Sequence, residues 1–433
     1  MLALIFLVML VPMILLGLPM VSSYALAFVV PSLATGQNVF GLQDIIGWLC
    51  AGAGKNTYVA IALFVISGEL MSKGHLTERI FNIFAYLFGS SRYCFPLVAV
   101  FTSLFYGMIS GSGIAVVAAV GCMVLPYLVS MGYDVVFFAA MLACAGSLGQ
   151  LIPPSSAILQ GLPVIESVLG EGVTDVNQQF RVAMVIGWAC GVFLLAMTIL
   201  HCRKDGGDRE KIEAKVKELR SESFGKVFYD SIFALLCPAI VLGGIFSGVF
   251  STAEVAAISV VYAAFVSLVI YKTVTLQELW RTILTSVRSV AKLAMLLAFA
   301  VSFAKLLAAF NLNDVIVTAV SAAFGTPTAF ILGSVIIMSV AMLFMNPGAI
   351  VGPIIYPVAQ RFGIDITVFA VGQAGLGAIG SLTPPFGMSL YVIAPIANVD
   401  PMQMFKKVLP LWGGMTVIIT IFMLFPGLCT WVL

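Results

Sequence analysis

GQLIPPSSAIL, from Gly149 to Leu159, returns as GSLTPPFGMSL, from Gly380 to Leu390, without a gap at an offset of 231 residues. The shared positions are Gly149 and Gly380, Leu151 and Leu382, Pro153 and Pro384, Pro154 and Pro385, and Leu159 and Leu390; upstream, Ala143 matches Ala374 and Gly146 matches Gly377. A Pro-Pro pair ends an α-helix, because it removes backbone donors and clashes with the preceding turn. Both copies nevertheless lie inside apolar stretches long enough to cross a bilayer. Broken helices at matching places in two halves of a membrane chain mark a midplane binding site.

Composition sets the solvent. The chain has 433 residues, 61% hydrophobic and 9% charged, with a mean hydropathy of +1.12, against about 25% charged in soluble proteins. It reads as an all-α polytopic membrane protein with no affinity for nucleic acid. The first basic residue is Lys55, so the N-terminal apolar run lacks the basic flank of a signal peptide and is expected to be a retained transmembrane helix. Eight cysteines stand singly, with no CxxC, as packing residues.

Runs near the length that crosses about 30 Å of hydrocarbon fall at 1–17, 19–34, 57–73, 180–201, 229–250, 253–272, 290–310 and 408–431. Two longer stretches, 93–132 and 327–361, carry mid-run breaks, YGMISGSGIAVV from Tyr106 and FMNPGAIVGP from Phe344, and are expected to be re-entrant helical hairpins. The stretches 134–160 and 365–395 hold the Pro-Pro phrases and are expected to be broken spanning helices. Three helices, hairpin, broken helix and helix thus occur twice, in residues 1–202 and 229–433, around a linker at 203–228.

Placing Arg203 to Lys226, with its eight Lys and Arg, in the cytoplasm puts 17 of the 21 basic residues on that side, leaving Lys55, Arg181, Lys305 and Arg361 at the outer ends. Both termini then face outward and the halves form an inverted repeat, the first hairpin opening inward and the second outward. The linker is expected to be a short amphipathic surface helix.

Hairpin tips and unwound helices bring free carbonyls, which ligate cations, and half-helix N-termini, which hold anions, to the midplane. In the first half the candidates are Ser110, Gly111, Ser112 and Gly113, facing Gly149, Pro153, Pro154, Ser155 and Ser156. In the second they are Asn346, Pro347 and Gly348, facing Ser381, Thr383, Pro384 and Pro385. Ser110, Gly111, Gly149, Pro153, Gly348, Ser381 and Thr383 are assigned to a cation; Ser112, Gly113, Ser155, Ser156, Asn346, Thr383 and Pro385 to substrate. A single break could be an ordinary kink; four in matched places argue for a site. These regions contain no Asp, Glu or His, which proton relays need, so sodium is the expected coupling ion, and no organic cofactor is expected. Glu69 and Glu254 lie near helix ends, as interface carboxylates or ion ligands; Lys305 either snorkels outward or serves as a counter-ion.

At these motifs the chain resembles the large membrane subunit of the tripartite ATP-independent periplasmic transporters, the DctM-like family. The phrases are MGYDVVFFAAMLACAGSLGQLIPPSSAIL, GGIFSGVFSTAEVAAISVVYA from Gly243, and IGSLTPPFGMSLYV from Ile379. The resemblance implies a scaffold and a mobile elevator domain holding both hairpins. It further implies sodium coupling, a small four-helix membrane subunit, and a soluble periplasmic binding protein that delivers an organic acid, in the bacterial inner membrane. Family members often carry a carboxylate after the first tip and an Asp at the second. Here SGSGIAVVAAVG has no carboxylate from Ser110 to Gly121 and MNPGAI stands around Asn346, which implies altered ion ligation or substrate.

The expected function is therefore secondary uptake of a small organic anion, a carboxylate or acidic sugar. The alternative is a self-sufficient sodium/dicarboxylate symporter or sodium/proton antiporter of related architecture. An enzyme is not expected: His75 and His201 lie at helix ends, and there is no HExxH site or aspartyl dyad. A passive channel would need only a polar lining, without matched breaks.

Overall fold

The computed structural model describes residues 56–433 apart from 89–90, 92, 205, 221–222, 310–311, 344–347 and 385–386, together with positions 22, 47 and 50. The expected spans 1–17 and 19–34, and the site candidates Asn346, Pro347 and Pro385, lie outside the described residues. Every regular element among the described residues is helical.

The duplication extends well beyond the Pro-Pro phrase. Helices α3 (Cys94–Ser110), α4 (Gly113–Ser130), α5 (Val135–Gly149) and α6 (Ser156–Leu169) are followed, after the intervening elements, by α13 (Pro327–Ala341), α14 (Gly348–Arg361), α15 (Ile366–Gly380) and α16 (Met388–Ala397). The offset of 231 residues relates the ends of α3 and α13, of α4 and α14, and of α5 and α15. It also relates the turns that launch α5 and α15. Gly132 and Gly363 both adopt the left-handed conformation, with φ of 79° and 68°. Tyr133 N donates to Leu128 O at 3.1 Å, and Ile364 N donates to Ala359 O at 3.0 Å. This is the glycine-terminated helix end. Two residues on, Asp134 accepts from Val136 N and Phe137 N, and Asp365 from Val368 N, as N-caps.

Around these lie α1 (Asn56–Lys73), α2 (Leu76–Phe88), α7 (Val176–Lys204), α8 (Arg209–Leu219), α9 (Phe224–Phe246), α10 (Thr252–Phe265), α11 (Leu276–Ala309), α12 (Leu312–Phe324) and α17 (Pro401–Leu424). Among the described residues, five helices are long and apolar enough to cross a membrane, and up to seven spans result if the bent pairs α1 with α2 (65°) and α12 with α13 (106°) count as one each. Exposed apolar side chains such as Val261, Phe265, Ile336 and Val417 suit contact with lipid.

Several boundaries differ from the sequence expectation. α11 begins at Leu276 rather than 290, because Thr275 and Glu278 cap each other reciprocally at 2.8 to 3.2 Å and start the helix in a polar segment. The Thr275 backbone N–H, and then its hydroxyl, hold the Glu278 carboxyl below the usual carboxylate range. α17 occupies 401–424 rather than 408–431, set by the Asp400 cap, Pro401 in the first turn and Pro426 after the end. Hydropathy sees neither the polar start of α11 nor α2 and α12, which are 13 residues each and too short to register as spans. The linker is the amphipathic helix α8, whose Ile212 and Val216 are buried. Asp208 N donates to Met131 O at 2.7 Å and ties it to the end of α4.

Two hydrophobic cores result. The larger runs through α3 to α7 and α13 to α17 and takes in Ile61 and Phe64 of α1, Phe81 of α2, Ile245 of α9 and Val255 of α10; the smaller joins α1, α2, α9 and α10 through Leu70, Met71, Ile80, Ala234, Cys237 and Ala263. At the centre of the larger core, every residue of α5 from Phe137 to Gly149 is buried, as is most of α15, as a helix apolar all round requires. Small residues let backbones meet there. A Cβ on Gly107 would overlap Gly149, and one on Gly113 would meet Gly146 and Ser147. The pair α3–α4 is thereby seated on α5 with no room for a side chain between them. Gly107→Val is expected to destabilise the chain by about 2 kcal/mol or more. This would be read as a lowered melting midpoint in detergent; an unchanged midpoint would contradict the close-packed crossing.

Candidate functional site

The first break is built from helix ends. α3 closes at Ser110 on Gly111, whose φ of 59° is left-handed and whose N–H donates to Gly107 O at 2.9 Å. Ser112 is extended and caps α4 by accepting from Ala115 N at 3.4 Å. Opposite, α5 stops at Gly149, and Leu151 to Pro154 cross to α6 without helical structure. The Pro153–Pro154 bond is cis. Ser155 Oγ donates to Gln150 O at 2.6 Å and accepts from Ile158 N at 3.2 Å, so one buried hydroxyl closes the break and caps α6. Ser156 Oγ donates to Gly111 O and binds tip to break.

These groups face a cavity of about 300 Å³ lined by Ser110, Gly111, Ser112, Gln150, Ser156 and Gln160 on one side, and by Glu69, Thr285, Ser286 and Ser289 on the other. The N-termini of α4 and α6 both open towards it, as do the C-terminal ends of α3 and α5 beside them. Unpaired N–H groups at the former favour an anion and carbonyls at the latter favour a cation. The expectation that Ser110, Gly111, Ser112 and Ser156 come together is met. Gly113, Gly149, Pro153 and Ser155 are buried beneath the cavity and hold its wall in shape. Gly68 of α1 touches the tip, since a Cβ there would stand 2.5 Å from Ser110 Cα, and this contact carries the next residue, Glu69, to the cavity. Glu69 is thus more than a helix-end carboxylate.

The second break is organised differently. After Gly380, Thr383 Oγ1 donates to Gly380 O at 2.8 Å, and Ser389 N donates to Ser381 O at 3.2 Å as α16 begins. Ser381 Oγ meets Ser147 Oγ at 2.9 Å and Ser389 Oγ at 3.1 Å, and Ser147 Oγ also donates to Ser389 Oγ at 2.9 Å. Three hydroxyls from the two duplicated blocks therefore hold one another. Ser147 and Ser389 were not among the expected site residues, although both stand within two or three positions of the repeated glycines and leucines. Gly348 lines a second cavity, of about 100 Å³, and Ser381 and Thr383 line neither. The second set therefore does not converge with the first in one cavity; the two spaces adjoin through Gln150 and Gln160, which line both.

The remaining ionisable candidates are now placed. Glu254 closes a capping box with Ser251 at the start of α10, which is the helix-terminus role. Lys305 is half-buried near the end of α11 and lines neither cavity. Neither histidine borders them either. His75 stands 3.6 Å from Glu78 on the surface, and His201 stacks on Phe137 at 3.6 Å between centroids, beside Asp134.

Similarity to known proteins agrees with this architecture. Over 88% of this chain and 87% of the other, the fold matches the crystal structure of the Alcanivorax borkumensis YdaH transporter, with a TM-score of 0.63 at 15% identity. The sialic acid TRAP transporter large permease protein SiaM of Vibrio cholerae serotype O1 is 29% identical over 93% of this chain and 91% of its own length. The isethionate TRAP transporter permease protein DctMQ of Oleidesulfovibrio alaskensis is 28% identical over 84% of this chain. It is a longer protein, of which the chain covers 56%. Residues 1–428 match the DctM component of the tripartite ATP-independent periplasmic transporters, and the chain, a multi-pass membrane protein, belongs to that family.

Proposed function

We propose that this chain is the large permease subunit that carries a small organic anion across the bacterial inner membrane, coupled to sodium. The observation that carries the proposal is the convergence of two helix N-termini and two helix C-terminal ends on one cavity, fastened by Ser156 and Gly111. N-termini suit the anion and carbonyls suit a hard cation. The relatives named for sialic acid and isethionate support an organic acid as cargo. A small four-helix membrane subunit and a soluble periplasmic binding protein complete the transporter in this proposal.

Movement is proposed to follow the duplicated blocks. The body built on α3 to α6 and α13 to α16 shifts as a unit, in an elevator motion, against the framework of α1, α2, α9 and α10. The side-chain-free crossings of α3 and α4 on α5 and the hydroxyl contacts of Ser147 with Ser381 and Ser389 support treating that body as one unit. Under the proposed topology residues 1–202 and 229–433 are inverted repeats, α3–α4 and α13–α14 are re-entrant hairpins, and both termini are periplasmic.

The decisive experiment is uptake of labelled organic acids into proteoliposomes, with and without a sodium gradient, adding the two partner proteins stepwise. Accumulation that requires sodium and both partners is expected; uptake by this chain alone would make it a self-sufficient carrier. Ser110→Ala, at the tip, and Thr383→Val, at the second break, are each expected to raise the sodium concentration needed for half-maximal uptake several-fold. Unchanged sodium activation in both would move the ion sites elsewhere. Pro154→Leu restores a donor and a helix-compatible side chain in the first break, and uptake is expected to be lost while the protein still inserts. Full activity in that variant would remove the requirement for an unwound segment.

A further inference from the structure

The second cavity has a lining of distinct chemistry. It lies between α6, α11, α13, α14 and α15, and its polar side chains among the described residues are Gln150, Gln160, Gln373 and Tyr356, with no Asp, Glu, Lys, Arg or His among them. It runs past bare backbone at Gly161, where an added Cβ would meet nothing within 4 Å. Gln373 is 3% exposed. Its Nε2 donates to Ser334 Oγ at 2.9 Å, and Ser334 in turn donates to Ile331 O at 2.7 Å, which fixes the amide's orientation. Its Oε1 has no hydrogen-bond partner. A buried acceptor without a donor is unfavourable and rare, and Gln373 lines a cavity that adjoins the tip cavity through Gln150 and Gln160.

We propose that this glutamine-lined cavity is the subsite for the hydroxyl-bearing part of the transported anion, with Gln373 Oε1 accepting a hydrogen bond from a substrate hydroxyl. The inference rests on the organic-anion reading above and names the substrate class within it: hydroxy acids and sugar acids, rather than unsubstituted carboxylates. A carboxylate offers no donor at neutral pH and cannot satisfy Oε1, whereas a hydroxyl both donates to it and accepts from the neighbouring glutamine N–H groups. The acid group sits at the N-termini of α4 and α6, and the carbon chain extends past Gln150 and Gln160 to Gln373. A site that hydrogen-bonds a substrate hydroxyl disfavours the analogue that lacks it, because the polar group is then left unpaired. The same lining holds nothing that would pair with a second charge, so a longer dicarboxylate gains no contact there.

The test measures transport by the complete reconstituted complex of paired probes that differ by hydroxyls: malate against succinate, lactate against propionate, and gluconate against 3-deoxygluconate. Each ratio is compared between the natural chain and Gln373→Leu with the same binding protein, so that the binding protein's own preference cancels. The natural chain is expected to favour the hydroxylated member of at least one pair by about tenfold more than Gln373→Leu does. Gln160→Leu, at a half-buried position, provides an independent variant should Gln373→Leu fail to fold, and its ratio is expected to fall too. Equal ratios in the natural and variant chains would overturn the subsite, leaving only water in the cavity, while continued uptake of the acids would leave the organic-anion reading standing. If no acid in the panel accumulates with any chain, the organic-anion reading itself fails and the subsite falls with it.

Discussion

In hydrocarbon every backbone N–H and C=O must find a partner inside the protein, and this chain twice interrupts helices in the middle of an apolar stretch. The rest of the structure answers that constraint. Gly111 N returns to Gly107 O, Ser155 Oγ takes up Gln150 O, Thr383 Oγ1 takes up Gly380 O, and Ser389 N reaches Ser381 O. Each repair is local and uses a glycine or a small hydroxyl residue. The broken segments can therefore stay unwound in a dry environment without charged side chains to hold them.

The repairs work only if the breaks are enclosed, and enclosure comes from α5 and α15. Their alanines, glycines and serines leave backbones close enough that Gly107 rests on Gly149 and Gly113 on Gly146. The same closeness lets Ser147, on the first duplicated block, reach Ser381 and Ser389 on the second. Those buried hydroxyl contacts are individually modest, yet they fix the relative position of two breaks that are 231 residues apart in sequence. Packing without side chains between α3, α4 and α5 also resists shear within the first block.

The repeated Pro-Pro phrase and the glycine-rich tips made the helix breaks and the helical class legible, because proline and glycine act through local backbone chemistry. The duplication was underestimated: the pair Gly132 and Gly363, followed by Asp134 and Asp365, carries the same turn and cap, but between the apolar runs these residues look like ordinary loop. Helices α2 and α12 were invisible to hydropathy since they are short, and α11 was truncated since its cap lies in polar sequence. The structure brings the tip serines and Ser156 to one cavity, as their place at the breaks led one to expect. Gly149 and Gly113 were taken for ligands when their role is close approach, and Ser147 and Gln373 were passed over because single polar residues in apolar helices carry no signal until their neighbours are known. The family resemblance reached the same identity as the comparison over residues 1–428.

The charge inventory sets a physical limit on what the cavities can hold. Among the described residues, Glu69 of α1 is the one acidic or basic side chain lining either of them. Moving an isolated anion from water into a medium of low dielectric costs on the order of 20 kcal/mol by Born solvation, and helix N-termini act as only about half a charge each. Helix ends alone compensate the proposed anion only in part, and a cation bound beside it would compensate the remainder. For the anionic cargo proposed above, the electrostatics and the helix-end carbonyls therefore favour the same partner, a cation that enters with it. The absence of carboxylates from Ser110 to Gly121 fits that arrangement, since a fixed negative charge there would oppose the anion.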